Sequence, residues 1–157
     1  MIYKLFGTAL VLGASVVSAS TLVGEERHKI VELETYIELL RYIRNQIDLY
    51  SAPLGKIFLG CQDSILRKLS ITERVNSFGE ILEKSTLKLG EDSKKTLYEF
   101  ANSLGKNYRD VQIKLCDKTI GELEGQKKSL EAAFASRRKT IIALCLGLGG
   151  MTIIALF

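Results

Sequence analysis

Two long stretches of this chain carry no charge, and they lie at its two ends. Leu5 to Val23 spans nineteen residues and Thr140 to Phe157 eighteen. Each reaches the roughly 17 to 25 apolar residues that a helix rising about 1.5 Å per residue needs to cross a hydrocarbon core about 30 Å thick. Beyond the first run, Ile30, Leu33, Ile37, Leu40, Ile43, Ile47 and Tyr50 recur at intervals of three and four, a narrow apolar stripe along one helix. The charged residues of that stretch fall largely off the stripe. This helix is expected to continue almost directly from the first run.

The stripe stops at "QIDLYSAPLGKIF", Gln46 to Phe58, which contains the single proline of the chain. Proline fixes φ and lacks an N–H, so it is tolerated in a first helical turn and disruptive in a helix interior. The long helix is therefore predicted to end near Tyr50, turn at Ser51-Ala52 and restart at Pro53 with Leu54, Ile57, Phe58 and Cys61. A further short helix is predicted from a cap near Thr72, carrying Val75, Phe78, Ile81 and Leu82. Another begins near Glu91 to Ser93 and carries Leu97, Phe100 and Leu104, with Gly105 as the glycine just past its end.

From about Tyr108, the residues Val111, Leu115, Ile120, Leu123, Leu130 and Phe134 lead without a proline into Arg137-Arg138-Lys139 and the second apolar run. Gly121 and Gly125 weaken this helix by up to about 1 kcal/mol each but do not end it. Both long helices lead to the same membrane face, so they should pack on each other. No stretch alternates with period two, so no sheet is expected. The pattern predicts an all-α fold: an antiparallel helical bundle, its stalk two long helices and its cap two or three short ones. The expected divisions are a membrane helix over 2–23, a helical bundle over 24–139 and a membrane helix over 140–157.

Charge bears on orientation. The middle holds all 18 acidic residues and every basic one except Lys4, a net charge of +3 with the signs interleaved. That pattern differs from the concentrated basic stripe of a nucleic-acid binder, and no nucleic-acid partner is expected. Lys4 and the small residues Val17-Ser18-Ala19 also fit a cleavable signal peptide, which would make the chain an exported, C-terminally anchored helical envelope protein. The basic cluster before the second run is expected on the cytoplasmic side. An uncleaved first helix satisfies that rule at both ends, with Arg27 and Lys29 inside. In lipid, small residues one turn apart let helices approach closely. Ala9 with Gly13, and Ala143 with Gly147, are the candidate packing positions, for the two segments or for copies of the chain; the same residues are also simply common in membrane helices.

Candidate chemistry is sparse. His28 is the lone histidine, Cys61, Cys116 and Cys145 are widely spaced, and no CxxC, Walker A pattern or nucleophile with an identifiable base occurs. Glu25-Glu26 and Glu91-Asp92 sit at predicted helix starts, where acidic side chains offset the helix dipole. No enzyme activity, cofactor or metal is expected. "LRKLSITERVNSFGE" and Lys127-Lys128 read either as solvated faces or as contacts to lipid or a partner.

Several pieces in order carry a resemblance: the N-terminal apolar segment, "YIRNQIDLYSAPLGKIF", "FANSLGKNYRDVQ", and the basic cluster running into "LCLGLGGMTIIALF". Together they resemble the stage III sporulation protein AB family over nearly the full length. The family's soluble part is similar to the cytoplasmic F domain of type II secretion and type IV pilus platform proteins. This implies a membrane platform in the mother cell, facing the forespore, with its soluble domain cytoplasmic. The implied partners are a separate stage III sporulation AA-type ATPase, other membrane proteins of the channel complex, the lipid bilayer and further copies of the chain. Pro53 and Leu54, the predicted joint, are the candidate partner contact.

Overall fold

The computed structural model describes the backbone of residues 2–50, 53–61, 63–85 and 87–156. Within those ranges it describes side chains for residues 24, 26–137, 139, 140 and 143. The described residues are helical, without strands: α1 Ile2–Tyr50, α2 Leu54–Leu59, α3 Asp63–Lys68, α4 Phe78–Lys84, α5 Glu91–Ser103 and α6 Arg109–Leu156. The architecture is consistent with a helical bundle. Two compact units divide the chain, Lys29–Ser129 on one hand and Met1–His28 with Leu130–Phe157 on the other.

In the Lys29–Ser129 unit, α1 and α6 run antiparallel. Glu34 pairs with Lys127 at 3.1 Å, Arg41 with Glu124 at 2.5 Å and Arg44 with Asp117 at 2.9 Å, so partners descend along α6 as they ascend along α1. Leu33, Ile37, Leu40, Ile43 and Ile47 of the expected stripe are buried, and Leu123, Cys116 and Thr119 of α6 are buried too. The stripe is wider than the spacing predicts. Thr35, Tyr36 and Leu39 are also buried, whereas Ile30 is half-buried and Tyr50 exposed. Thr35 tolerates burial because its hydroxyl donates to the Val31 carbonyl at 2.8 Å.

The buried face of α1 also meets the short helices. The Tyr36 ring lies edge-on to Phe78 of α4 at 6.5 Å, and Phe78 edge-on to Phe100 of α5 at 4.9 Å. Edge-to-face pairs at such distances add about 0.5 to 1.5 kcal/mol beyond the area they bury. The Ser85 hydroxyl donates to the Leu82 carbonyl, which leaves Tyr36 to donate to Ser85 Oγ at 2.6 Å. Glu32 accepts the Lys88 N–H at 3.2 Å and so ties the α4–α5 loop to α1. Tyr42 donates to the Gly60 carbonyl at 2.8 Å and fixes the end of α2.

The cap departs from the predicted elements in three places. Pro53 is the residue preceding α2, in extended geometry with φ −63° and ψ 138°, and its carbonyl takes the first helical bond from Lys56. The predicted turn at Ser51-Ala52 lies outside the described residues. Helix α4 starts at Phe78, not near Thr72: Ser77 Oγ accepts the Glu80 N–H at 3.2 Å, while Glu80 reaches back to the Asn76 N–H at 2.9 Å. That reciprocal arrangement is a close relative of the capping box, and nothing comparable exists at Thr72. Finally, α3 is an additional helix, which makes four short helices among the described residues, where two or three were expected.

Helix α3 ends in a Schellman motif. Ile71 N–H bonds the Leu66 carbonyl at 2.9 Å and Ser70 N–H the Arg67 carbonyl at 3.0 Å, with Leu66 and Ile71 both buried. The residue that must turn left-handed there is Ser70, at φ 61°. A Cβ in that region costs about 1 to 2 kcal/mol, of which the greater unfolded-state freedom of glycine returns part.

In the other unit, Arg137 pairs with Glu26, which joins the described ends of α1 and α6 there. Among the described residues no helix is long and apolar enough to cross a membrane. The side chains of both apolar runs lie outside the described residues, apart from those of Thr140 and Ala143.

Two outcomes follow for the full-length chain in detergent. Ser70→Gly should raise stability by about 0.5 to 1 kcal/mol, seen as a higher denaturation midpoint. Burial pushes the Tyr36 hydroxyl up to about 12 from an ordinary 10. A raised folded-state value means that its stabilisation is complete below pH 10 and fades as pH climbs towards 12. Tyr36→Phe should therefore flatten the fall in stability between pH 10 and 12, and an unchanged slope would refute this assignment.

Candidate docking surface

Helix α1 has no basic residue in its own last turn, although its final carbonyls have no partners within the helix. Arg109, the first residue of α6, supplies the missing cation. Its Nε donates to the Ile47 carbonyl at 3.2 Å, and its Nη2 donates to the Asp48 carbonyl and to Asp48 Oδ1, the latter at 3.2 Å. Asp48 also accepts from Arg44 at 3.0 Å, and Arg44 continues to Asp117. The Asp117 contact, with Asp48 behind it, pushes the Arg44 guanidinium above its ordinary value. A planar guanidinium suits this task because several donors can serve neighbouring acceptors at once. An arginine at the start of a helix is unfavourable to that helix's own dipole, which makes its partner on α1 the reason for its position.

The start of α2 and the end of α5 approach each other. Gly105 follows α5 at φ 84°, and a Cβ there would come within 2.8 Å of Leu54 Cδ1. The Leu54 tip could shift, so the positive φ is the firmer requirement for glycine. The segment after Gly105 is pinned by Gln112, whose Nε2 donates to the Asn107 carbonyl at 2.6 Å.

Several large apolar side chains near the clamp are exposed. Tyr108 is 89% exposed, Leu49 71%, Tyr50 68% and Val111 47%, and Pro53 is exposed beside half-buried Leu54. A single exposed apolar residue needs no explanation, whereas several large ones on adjoining segments mark a contact surface. Lys56, Lys106 and Lys114 on the same segments are exposed and make no ion pair among the described residues, nor does Asp110. Aromatic side chains within a polar rim are the usual composition of a protein interface.

Of the residues singled out from sequence, Pro53 and Leu54 lie on this surface. Ala9, Gly13 and Gly147 lie outside the residues whose side chains are described, and Ala143 is exposed. Cys61 and Cys116 are buried thiols. Among the described residues no group of three potential metal ligands comes together. A charged groove of about 480 Å³ between α1 and α6 holds Glu34, Glu38, Arg41, Glu124 and Lys127. Each of these has an opposite partner, Glu38 through Lys68 at 2.8 Å, so the groove is a stitched seam.

The Arg109 clamp and the Leu54–Gly105 contact bring "YIRNQIDLYSAPLGKIF" and "FANSLGKNYRDVQ" together in space. The family model for stage III sporulation protein AB matches residues 4–157, which is nearly the entire chain. The chain belongs to that family. Membership gives it a role in stage III of sporulation. No curated protein matches this chain, and no solved structure does.

Arg109→Ala leaves the Ile47 and Asp48 carbonyls without their partner and should cost about 1 to 2 kcal/mol. Arg109→Lys should recover only part of this, because one ammonium cannot serve all three acceptors equally. Denaturation midpoints of the full chain would check both, and equal stability of the three proteins would contradict the clamp.

Proposed function

We propose that this chain is a non-enzymatic platform, a scaffold component of a sporulation-specific, secretion-like channel complex between mother cell and forespore. In this reading the two apolar runs span the mother-cell membrane and the helical bundle faces the cytoplasm. The bundle docks a separate ATPase of the stage III sporulation AA type, and the membrane helices contact other channel proteins. An F-domain-like bundle of this kind serves as a passive relay: it has to be stiff, and it has to present a surface.

The observation that carries the reading is the exposed apolar surface of Leu49, Tyr50, Pro53, Tyr108 and Val111. Exposing so many large apolar side chains reduces solubility unless a partner covers them. The supporting observations are family membership and the rigid frame behind the surface, where Arg109, Arg44 and Asp48 lock α1 to α6. A preorganised frame lowers the entropy lost when a partner docks.

Co-purification of the full-length chain with the stage III sporulation AA-type ATPase from the same host tests this. Leu49→Ser with Tyr108→Ser should weaken capture by about tenfold or more, as loss of interface anchors does, with thermal stability unchanged. Failure of two folded proteins to associate would remove the docking claim. Association insensitive to this pair would move it to another surface.

A further inference from the structure

A second recess lies in the cap. The groove, about 400 Å³ in volume, runs between α2, α3 and the irregular segment that follows α3. It differs in kind from the exposed surface beside the Arg109 clamp. Its floor is apolar, formed by the buried side chains of Phe58, Leu66, Ile71 and Val75, and Leu59, 58% exposed, stands at its lip. The segment that makes one wall has no helix from Leu69 to Ser77, yet the Schellman turn at Ser70 and the burial of Leu69, Ile71 and Val75 hold it in place. The recess is therefore built into the fold by anchored residues.

Two arginines set the chemistry of the rim. Arg67 and Arg74 both line the groove, both are exposed, and neither side chain makes a hydrogen bond or ion pair among the described residues. Their neighbours differ. Lys68 is held by Glu38 at 2.8 Å and Lys84 by Glu73 at 2.7 Å. The Lys84 contact holds the Glu73 carboxyl below the usual carboxylate range. Glu73 also lines the groove but is thereby neutralised, and among the described residues of its lining Asp63 remains as the one acid without an ion pair. Guanidinium pairs left open above an apolar floor suit carboxylates flanking a bulky apolar side chain.

We propose that this groove binds a short acidic segment of a partner protein, with an apolar side chain seated on Phe58, Leu66 and Val75 and carboxylates on Arg67 and Arg74. The mixed rim favours a discrete segment over a membrane. An anionic lipid surface presents a continuous sheet of negative charge, which Asp63 opposes, and it offers no side chain to fill the recess. The proposal concerns residues other than the apolar surface above and does not depend on the ATPase docking there.

A displayed random-peptide library selected on the detergent-solubilised full chain supplies the test. Selected peptides should carry at least two carboxylates about a Leu, Ile or Phe. They should bind about tenfold more weakly to Arg67→Glu with Arg74→Glu, and measurably more weakly to Arg67→Gln with Arg74→Gln. Lys95→Glu, an exposed change away from the groove, should leave binding intact. The neutral glutamine pair guards against fraying of α3 by the reversed charge, and unchanged helicity in that variant makes its result decisive. The proposal is overturned if no such peptides are enriched or if the arginine variants bind them unchanged. It is equally overturned if phosphatidylglycerol vesicles displace the peptides through the same arginines, which assigns the site to lipid. Loss of self-association in these variants, without peptide binding to the parent chain, would assign the groove to a second copy.

Discussion

The Lys29–Ser129 unit depends on one stretch of α1 that is buried over an unusually broad face, from Leu33 to Ile47. Leu33, Ile37, Leu40 and Ile43 lie on the predicted stripe, Tyr36 shares that face and stacks edge-on against Phe78 of the cap, and buried Thr35 and Leu39 widen it. A helix with a narrower apolar stripe could form a hairpin with α6 and leave the short helices without a base. Because the buried face of α1 is broad, α2 to α5 can be short. None needs to be stable alone: α2, α3 and α4, with six, six and seven residues, are far below the roughly 12 to 15 residues at which isolated helices persist in water, and α5, with 13, is marginal. They fold because Phe58, Ile65, Phe78 and Phe100 each bury a large side chain in the shared core.

Charge does a different job here. The pairs between α1 and α6, Glu34–Lys127, Arg41–Glu124 and Arg44–Asp117, are substantially exposed, and exposed pairs contribute about 0 to 1 kcal/mol each. Their value lies in register. Sliding α6 by one turn would bring Glu124 or Lys127 opposite the wrong neighbours, so the seam discriminates against misaligned packings whose apolar contacts are nearly as good. The cations left out of this seam, Lys56, Lys106 and Lys114 near the turns and Arg67 and Arg74 on the cap groove, are available for contacts outside the chain.

Long periodic elements were legible in the sequence, and short ones were not. The three-and-four spacing from Leu33 to Ile47 and the uninterrupted pattern after Tyr108 each repeat over many turns, so one misleading residue changes little. Helix α3 has fewer than two turns and offers no period to read. Val75 misled for a related reason: it lies three residues before Phe78 as a helical neighbour would, but it is buried from irregular backbone. The better signal at that point was local, Ser77 followed three residues later by Glu80. Pro53 was readable as a joint because proline chemistry is local. Its meeting with the Gly105 turn was not, since that contact joins segments about fifty residues apart through a cap whose packing no local pattern encodes.

The clamp at Arg109 links stability to the exposed surface. Satisfying the last carbonyls of α1 from the first residue of α6 forces the two helix ends together. The side chains next to the clamp in sequence, Leu49 and Tyr50 at the end of α1 and Tyr108 just before α6, are exposed. A chain selected only for stability could place polar residues at these positions at little cost, since exposed sites tolerate most substitutions within about 0.5 kcal/mol. Large apolar residues there are therefore unexplained by the fold itself, and this is the observation on which the proposed docking rests. The same reasoning separates the two surfaces of the unit: the surface beside the clamp presents exposed aromatic side chains, whereas the cap groove presents a recess rimmed by open guanidinium groups. Exposed anchors suit a partner with its own pockets, and a charged recess suits a flexible segment, so the two surfaces are suited to different partners.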